Sequence, residues 1–238
     1  MSTIDGLTQE LLGGLGRAGL GGATVLLHGS AGRDERVPGR SDVNAVCIVD
    51  QLSPGVLDSL GPVLRRWQAG AGSLPLLFTR TEWQRSADAY PLEIAEMQSG
   101  YRVLQGPDLL APLRVDRADL RLALERELRG KLLRLRQGAA VIMDDSGRAG
   151  LVRASLPAVL FLARALLILG EQRVPASTAE VARAMARTIG AEAEEFVAIA
   201  GRRHDESWTC GPGPLAGYLA VVERAVLFVD HFQTGGQT

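Results

Sequence analysis

The feature that most restricts this chain's fold is a change of texture near residue 117. Before it, short apolar runs are separated by Gly, Pro, Ser and Asp. TVLLHG (24–29), NAVCIVD (44–50), LPLLFTR (74–80) and YPLEIAE (90–96) have strand length and β-branched or aromatic content. LTQELLGGLGRA (7–18), SPGVLDSLGPVLRRWQAG (53–70) and TEWQRSAD (81–88) lie between them and read as helices. Strands alternating with helices predict an α/β layer.

After residue 117 the strand-like runs stop. DLRLALERELRGKLLRLRQGAAVIM (119–143) places Leu120, Leu124, Leu128, Leu132 and Leu135 on one stripe and pairs Glu125 with Arg129 and Glu127 with Lys131 at i,i+4. LVRASLPAVLFLARALLIL (151–169) is apolar nearly all round, as a central bundle helix would be, with Pro157 kinking it or marking a late start. Ser177 and Glu180 have capping-box spacing, and Gly190 ends that helix. A last helix begins near Pro214 and turns Leu215, Leu219, Val222, Val226 and Val229 inward. The expectation is an α/β (or α+β) domain over 1–115 and a helical bundle over 116–238.

Composition narrows the function classes. The chain has 238 residues, 46% of them apolar and 22% charged, enough to bury a core of ordinary globular size. Its 26 basic and 27 acidic residues give a net charge of −1, which supplies no global attraction to nucleic acid or a membrane surface. Cys47 and Cys210 stand far apart without a CxxC or Cys/His spacing, so a zinc site is not expected and a reducing compartment is. The N-terminus lacks the basic-then-apolar pattern of a signal peptide, and the apolar stretch 156–170 is short of a membrane span and contains Arg164. A cytoplasmic protein with no membrane or nucleic-acid partner is the expectation; oligomeric state is not legible.

The chemistry is concentrated in LLHGSAGRDERVPGRSDVNAVCIV. A strand that ends in Gly29-Ser30 can pass into a turn or helix whose free N–H groups suit a phosphate, and glycine allows close backbone approach. The next strand is read as starting at Asp42, so residues 42 and 44 share a face. Acids at both places would hold a Mg²⁺ that bridges nucleotide phosphates. The chain has an acid at 42 and a carboxamide, Asn44, at the other.

An apolar strand, Gly-Ser, about ten residues and Ser-Asp leading a second apolar strand resembles the nucleotidyltransferase superfamily, the fold of DNA polymerase β and the aminoglycoside nucleotidyltransferases. The resemblance implies a mixed sheet, a metal-dependent transfer of a nucleoside monophosphate from ATP or another NTP, and a following helical bundle that shapes the site of a small-molecule or protein acceptor. It implies Gly29 and Ser30 at the phosphates, Asp42 and Asn44 at Mg²⁺ or Mn²⁺, and a third acid as base or metal ligand on a later strand. PLEIAEM offers Glu93 for that third acid, with Glu96 in reserve, and YRVLQGPD (101–108) resembles the segment that closes such a domain.

Asn44 departs from the pattern, since the family has an acid there. Its carbonyl oxygen can ligate a hard cation but brings no charge, so the site is either altered, with Asp34, Asp50 or Glu96 compensating, or degenerate and confined to nucleotide sensing or partner binding. If residue 44 is a decayed ligand, Asn44→Asp strengthens metal-dependent nucleotide binding. His28 and Cys47 read as core. GRRHDESW (201–208) reads as a solvated turn or an acceptor-site segment, and Lys131 or Arg134 as solvated or phosphate-reaching.

Overall fold

The computed structural model describes residues 4–32, 42–202 and 204–233. The chain divides into two compact units, residues 1–115 and 116–238.

The first unit runs α1 (Ile4–Arg17), β1 (Thr24–His28), β2 (Asn44–Val49), α2 (Pro54–Ala71), β3 (Leu76–Thr79), α3 (Arg80–Gln84), α4 (Pro91–Gln98) and β4 (Tyr101–Gln105). Its sheet has four strands in the order β3-β2-β1-β4. β1 is antiparallel to both β2 and β4, and β2 is parallel to β3 after the α2 crossover, so the sheet is mixed. β1 and β2 are central strands with both faces covered, which is why their sequences read as nearly continuous apolar runs. One face presents Val25, Leu27, Ala45, Cys47 and Val49 to Leu7, Leu11 and Leu15 of α1 and Leu60 and Trp67 of α2. The other presents Leu26, Val46 and Ile48 to Trp83, Ile94, Met97 and Leu110. Each such apolar side chain stabilises the fold by roughly 1.5–3 kcal/mol when fully buried.

YPLEIAE is not a strand. Pro91 occupies the first turn of α4, where its fixed φ favours helix and its missing N–H costs nothing. Leu92, Ile94, Ala95 and Met97 are then buried at helical spacing. The segment is so short that period 2 and period 3.6 fit it almost equally, and packing on the sheet decides between them. The fourth strand is supplied instead by YRVLQ (101–105). The loop after it is pinned by Trp83 Nε1, which donates to the Leu109 carbonyl at 2.8 Å, and by Asp108, which accepts from the Tyr101 hydroxyl at 2.6 Å and from the amides of Leu110 and Ala111.

The second unit is helical among its described residues: α5 (Arg117–Val141), α6 (Asp145–Leu169), α7 (Thr178–Thr188), α8 (Glu194–Gly201) and α9 (Pro212–Asp230). The five leucines of the α5 stripe are all buried. α6 is longer than its sequence suggests, because Pro157 lies inside it with its ring on the exposed side, where water can take the hydrogen-bonding freed by the missing N–H. By length and composition α6 and α9 reach those of a membrane span, and in α6 the apolarity serves the bundle: Val152, Leu156, Val159, Ala163 and Leu166 are buried among the neighbouring helices. Ser177 caps α7 by accepting from the Glu180 amide, with its hydroxyl on the Glu180 carboxylate. The α8 helix has no counterpart in the sequence reading.

Polar contacts tie α5, α6 and α9 together. Glu125 holds Arg121 and Arg129 at 2.8 Å each, and Arg129 also reaches Asp230. Arg129 is half exposed, so water screens these pairs and the leucine stripe dominates. Inside, the Ser155 and Tyr218 hydroxyls meet at 3.0 Å, and burial pushes the Tyr218 phenol well above its ordinary pKa.

Two expectations follow. Leu128→Ala, at a fully buried position, lowers stability by about 2–5 kcal/mol in urea unfolding of the intact chain. Burial raises the Cys47 thiol to about 12, and burial also raises that of Cys210. Both therefore stay silent toward a thiol reagent in the native protein and react only after unfolding.

Candidate functional site

The site is built where the β1–β2 ladder stops. Its last pair is His28 with Asn44, so the Gly29–Ser30 turn and the chain entering β2 lie at the same end of the sheet. Gly29 has φ +67, a left-handed conformation that glycine adopts without cost and other residues resist. Gly32 is required for a different reason. A Cβ there would stand 2.8 Å from the Gly100 carbonyl and 2.8 Å from the His28 Cα, so the turn folds back against β1 and the start of β4. That close backbone packing buries Gly29 and Ala31 and leaves Ser30 and Gly32 half-buried at the sheet end.

The strand entering from the other side is held by the loop after α2. The Val43 N–H donates to the Ala71 carbonyl at 2.8 Å, and the Ser73 hydroxyl donates to the Val43 carbonyl at 3.0 Å. The same hydroxyl lies 3.1 Å from Asn44 Oδ1. The other end of the carboxamide faces the turn, since Asn44 Nδ2 is 3.3 Å from where a Cβ on Gly29 would be. Asp42 precedes the strand rather than beginning it, and its side chain is exposed. Its carboxylate packs on Gly72, where φ is +87 and an added Cβ would overlap Asp42 Oδ1. Gly72 and Ser73 were not singled out from sequence. The only local signal was the glycine-rich AGAGS ending the α2 segment, which reads equally well as a helix stop.

The acids fall out as follows. Glu93 and Glu96 are on a helix, not on a strand beside Asp42; Glu93 is exposed and Glu96 is 7% exposed. Glu96 stands four residues before Gly100, whose carbonyl abuts the turn at Gly32. Asp50 is at the opposite end of β2 from Asn44 and is engaged there by Arg80 at 2.6 Å, so it compensates nothing at residue 44. Asp34, Ser41 and Arg203 lie outside the described residues. Among the described residues no group of three or more His, Cys, Asp and Glu is placed to hold a metal ion.

In the second unit, GRRHDESW is an organised loop. Arg153 of α6 donates to the carbonyls of Asp205, Glu206 and Trp208, and Asp205 accepts from Arg202 and Ser207. The Ser207 hydroxyl and the Arg202 guanidinium hold the Asp205 carboxyl below its usual range.

No family model and no curated protein matches the chain. Among solved structures it is similar to the spectinomycin adenyltransferase AAD(9) of Enterococcus faecialis, crystallised with ATP and spectinomycin. The TM-score is 0.59 over 94% of this chain and 99% of that one, at 12% sequence identity. The chain therefore has a nucleotidyltransferase-type fold, an α+β unit followed by a helical region, and the likeness takes in most of both chains.

Gly72→Ala is expected to lower stability by about 1–3 kcal/mol, from the strained φ and the overlap with Asp42. Adding Asp42→Ala removes the overlap and leaves the φ strain, so a double-mutant cycle read by urea unfolding returns part of the loss.

Proposed function

We propose that the protein binds a nucleoside triphosphate, ATP in the first instance, at the Gly29–Ser30 end of the sheet and transfers its nucleoside monophosphate to a hydroxyl of a small molecule. The observation that carries this reading is the ladder ending at His28–Asn44, which gathers a left-handed glycine turn, Asp42 and Asn44 at one place in a fold shared with an adenyltransferase. The turn takes the phosphates through backbone N–H groups, and the glycines keep side chains out of the way. Asp42, exposed and held by Gly72, is the carboxylate against which one Mg²⁺ or Mn²⁺ would enter with the triphosphate; the ion would neutralise charge that develops on the departing pyrophosphate. The acceptor hydroxyl attacks the α-phosphorus, pyrophosphate leaves, and the acceptor proton passes to a carboxylate of α4. Glu96 suits that role better than Glu93 because it is sequestered from water.

A second reading, a degenerate relative that binds nucleotide or a partner without turnover, is favoured by Asn44, whose ligating oxygen is already engaged by Ser73. The two separate on measurement. ATP or another NTP with Mg²⁺ should raise the melting temperature by mass action, and Asp42→Ala should remove the metal-dependent part of that shift. Pyrophosphate release from ATP in the presence of spectinomycin or another hydroxylated antibiotic then distinguishes enzyme from binding module. With turnover, Glu96→Gln lowers the rate about 100-fold or more while ATP still binds, and Glu93→Gln leaves both nearly unchanged. Loss on Glu93→Gln alone would return the base role to Glu93. If no nucleotide shifts the melting temperature in either metal, the function proposed here fails.

A further inference from the structure

Residue 44 is where an acid of the superfamily pattern is missing, and the structure offers a reason other than decay. We propose that Asn44 is a direct hydrogen-bond donor to the triphosphate, positioned by Ser73, and not a metal ligand. This rests on the reading that a triphosphate binds at Gly29–Ser30.

The argument starts from the carboxamide, which has one accepting end and one donating end. Its oxygen, the atom a cation would use, takes the Ser73 hydroxyl at 3.1 Å. The single Ser73 hydroxyl proton is shared between Asn44 Oδ1 and the Val43 carbonyl, 3.0 Å from the same oxygen, and the Val43 N–H is bound to Ala71. With the oxygen turned to Ser73, the amide nitrogen is directed to the turn, 3.3 Å from the Cβ position of Gly29. Two N–H bonds therefore sit beside the backbone that would cradle the phosphates, and both favour an anion. A carboxylate in this seat would still accept from Ser73, but its second oxygen would face the turn and repel the phosphates. Among the described residues no group of three or more ligating side chains surrounds it: Asp42 is its neighbour in the chain, and Asp50 is at the other end of β2 with Arg80. Asn44 and Ser73 thus suit a site that reads part of the phosphate charge by neutral donors beside the Asp42 carboxylate.

The test is calorimetric titration of the full chain with ATP, tripolyphosphate and adenosine, each in EDTA and in Mg²⁺, with melting curves to show that every variant is folded. The natural protein is expected to bind ATP and tripolyphosphate in EDTA. Asn44→Asp should weaken both by about tenfold or more in EDTA, the effect of losing a hydrogen bond to a charged group and gaining a like charge, and should bind ATP with Mg²⁺ no tighter than the natural protein. Ser73→Ala should weaken the phosphate ligands by about threefold to tenfold, Ser73→Thr should keep them, and adenosine binding should stay the same throughout. Tighter Mg²⁺-ATP binding by Asn44→Asp would overturn the proposal and make residue 44 a vacated metal ligand. Equal losses for adenosine and ATP would overturn it in favour of a purely structural clasp. ATP binding that requires Mg²⁺ and ignores residue 44 sinks this inference alone, whereas no ATP binding under any condition sinks it together with the function proposed above.

Discussion

The antiparallel register between β1 and β2 is the constraint from which the candidate site follows. Pairing Thr24 with Ile48 through to His28 with Asn44 sends Val25, Leu27, Ala45, Cys47 and Val49 to the α1–α2 face and Leu26, Val46 and Ile48 to the α4 face. A slip of one residue would send every one of those side chains to the opposite core, into packing shaped for the other set, so close packing on both faces holds the register. The site inherits that precision. Gly29–Ser30 and Asn44 meet because the ladder has no choice about where it ends.

The site is held by backbone as much as by side chains. Val43 is locked through both its N–H and its carbonyl by the loop after α2, and that loop also supplies Gly72 against Asp42 and Ser73 against Asn44. A functional group supported in this way loses little freedom when it meets a ligand, which is the arrangement that positioning-based phosphoryl chemistry needs. At the far end of the same strands Asp50 and Arg80 close a separate polar contact with the Gly22 carbonyl, so the two carboxylates that bracket β2 in sequence do unrelated work.

Helix α4 shows where pattern and packing part company. Leu92, Ile94 and Ala95 interleaved with Glu93 and Glu96 suit a strand and a helix alike over eight residues. Pro91, read from sequence as part of a strand, turned out to sit at the helical first turn, and the sheet's outer position went to Tyr101–Gln105. The helix leaves Glu93 exposed and buries Glu96, a difference that a strand reading of the segment did not contain.

Sequence by itself determined the elements whose signals are local and redundant. The apolar runs of β1 and β2, the leucine stripe of α5, the Ser177 cap and the Gly-Ser turn followed by Asp42 were all legible, because each depends on periodicity or on a glycine or cap within a few residues. The break between a sheet-bearing part and a helical part was legible for the same reason, as a change in the period of the apolar residues. Only the tertiary structure decided what Asn44 faces, which acid of α4 is buried, that Asp50 is remote from residue 44, and that Gly72 and Ser73 lie against Asp42 and Asn44. Those facts depend on contacts between residues some thirty positions apart, such as Ser73 with Asn44 and Arg80 with Asp50, and on an acid's place on a helix instead of a strand. A hydrogen bond across that separation leaves no periodic trace in the chain, since its two ends are brought together by the packing of a sheet and not by the spacing of residues along it.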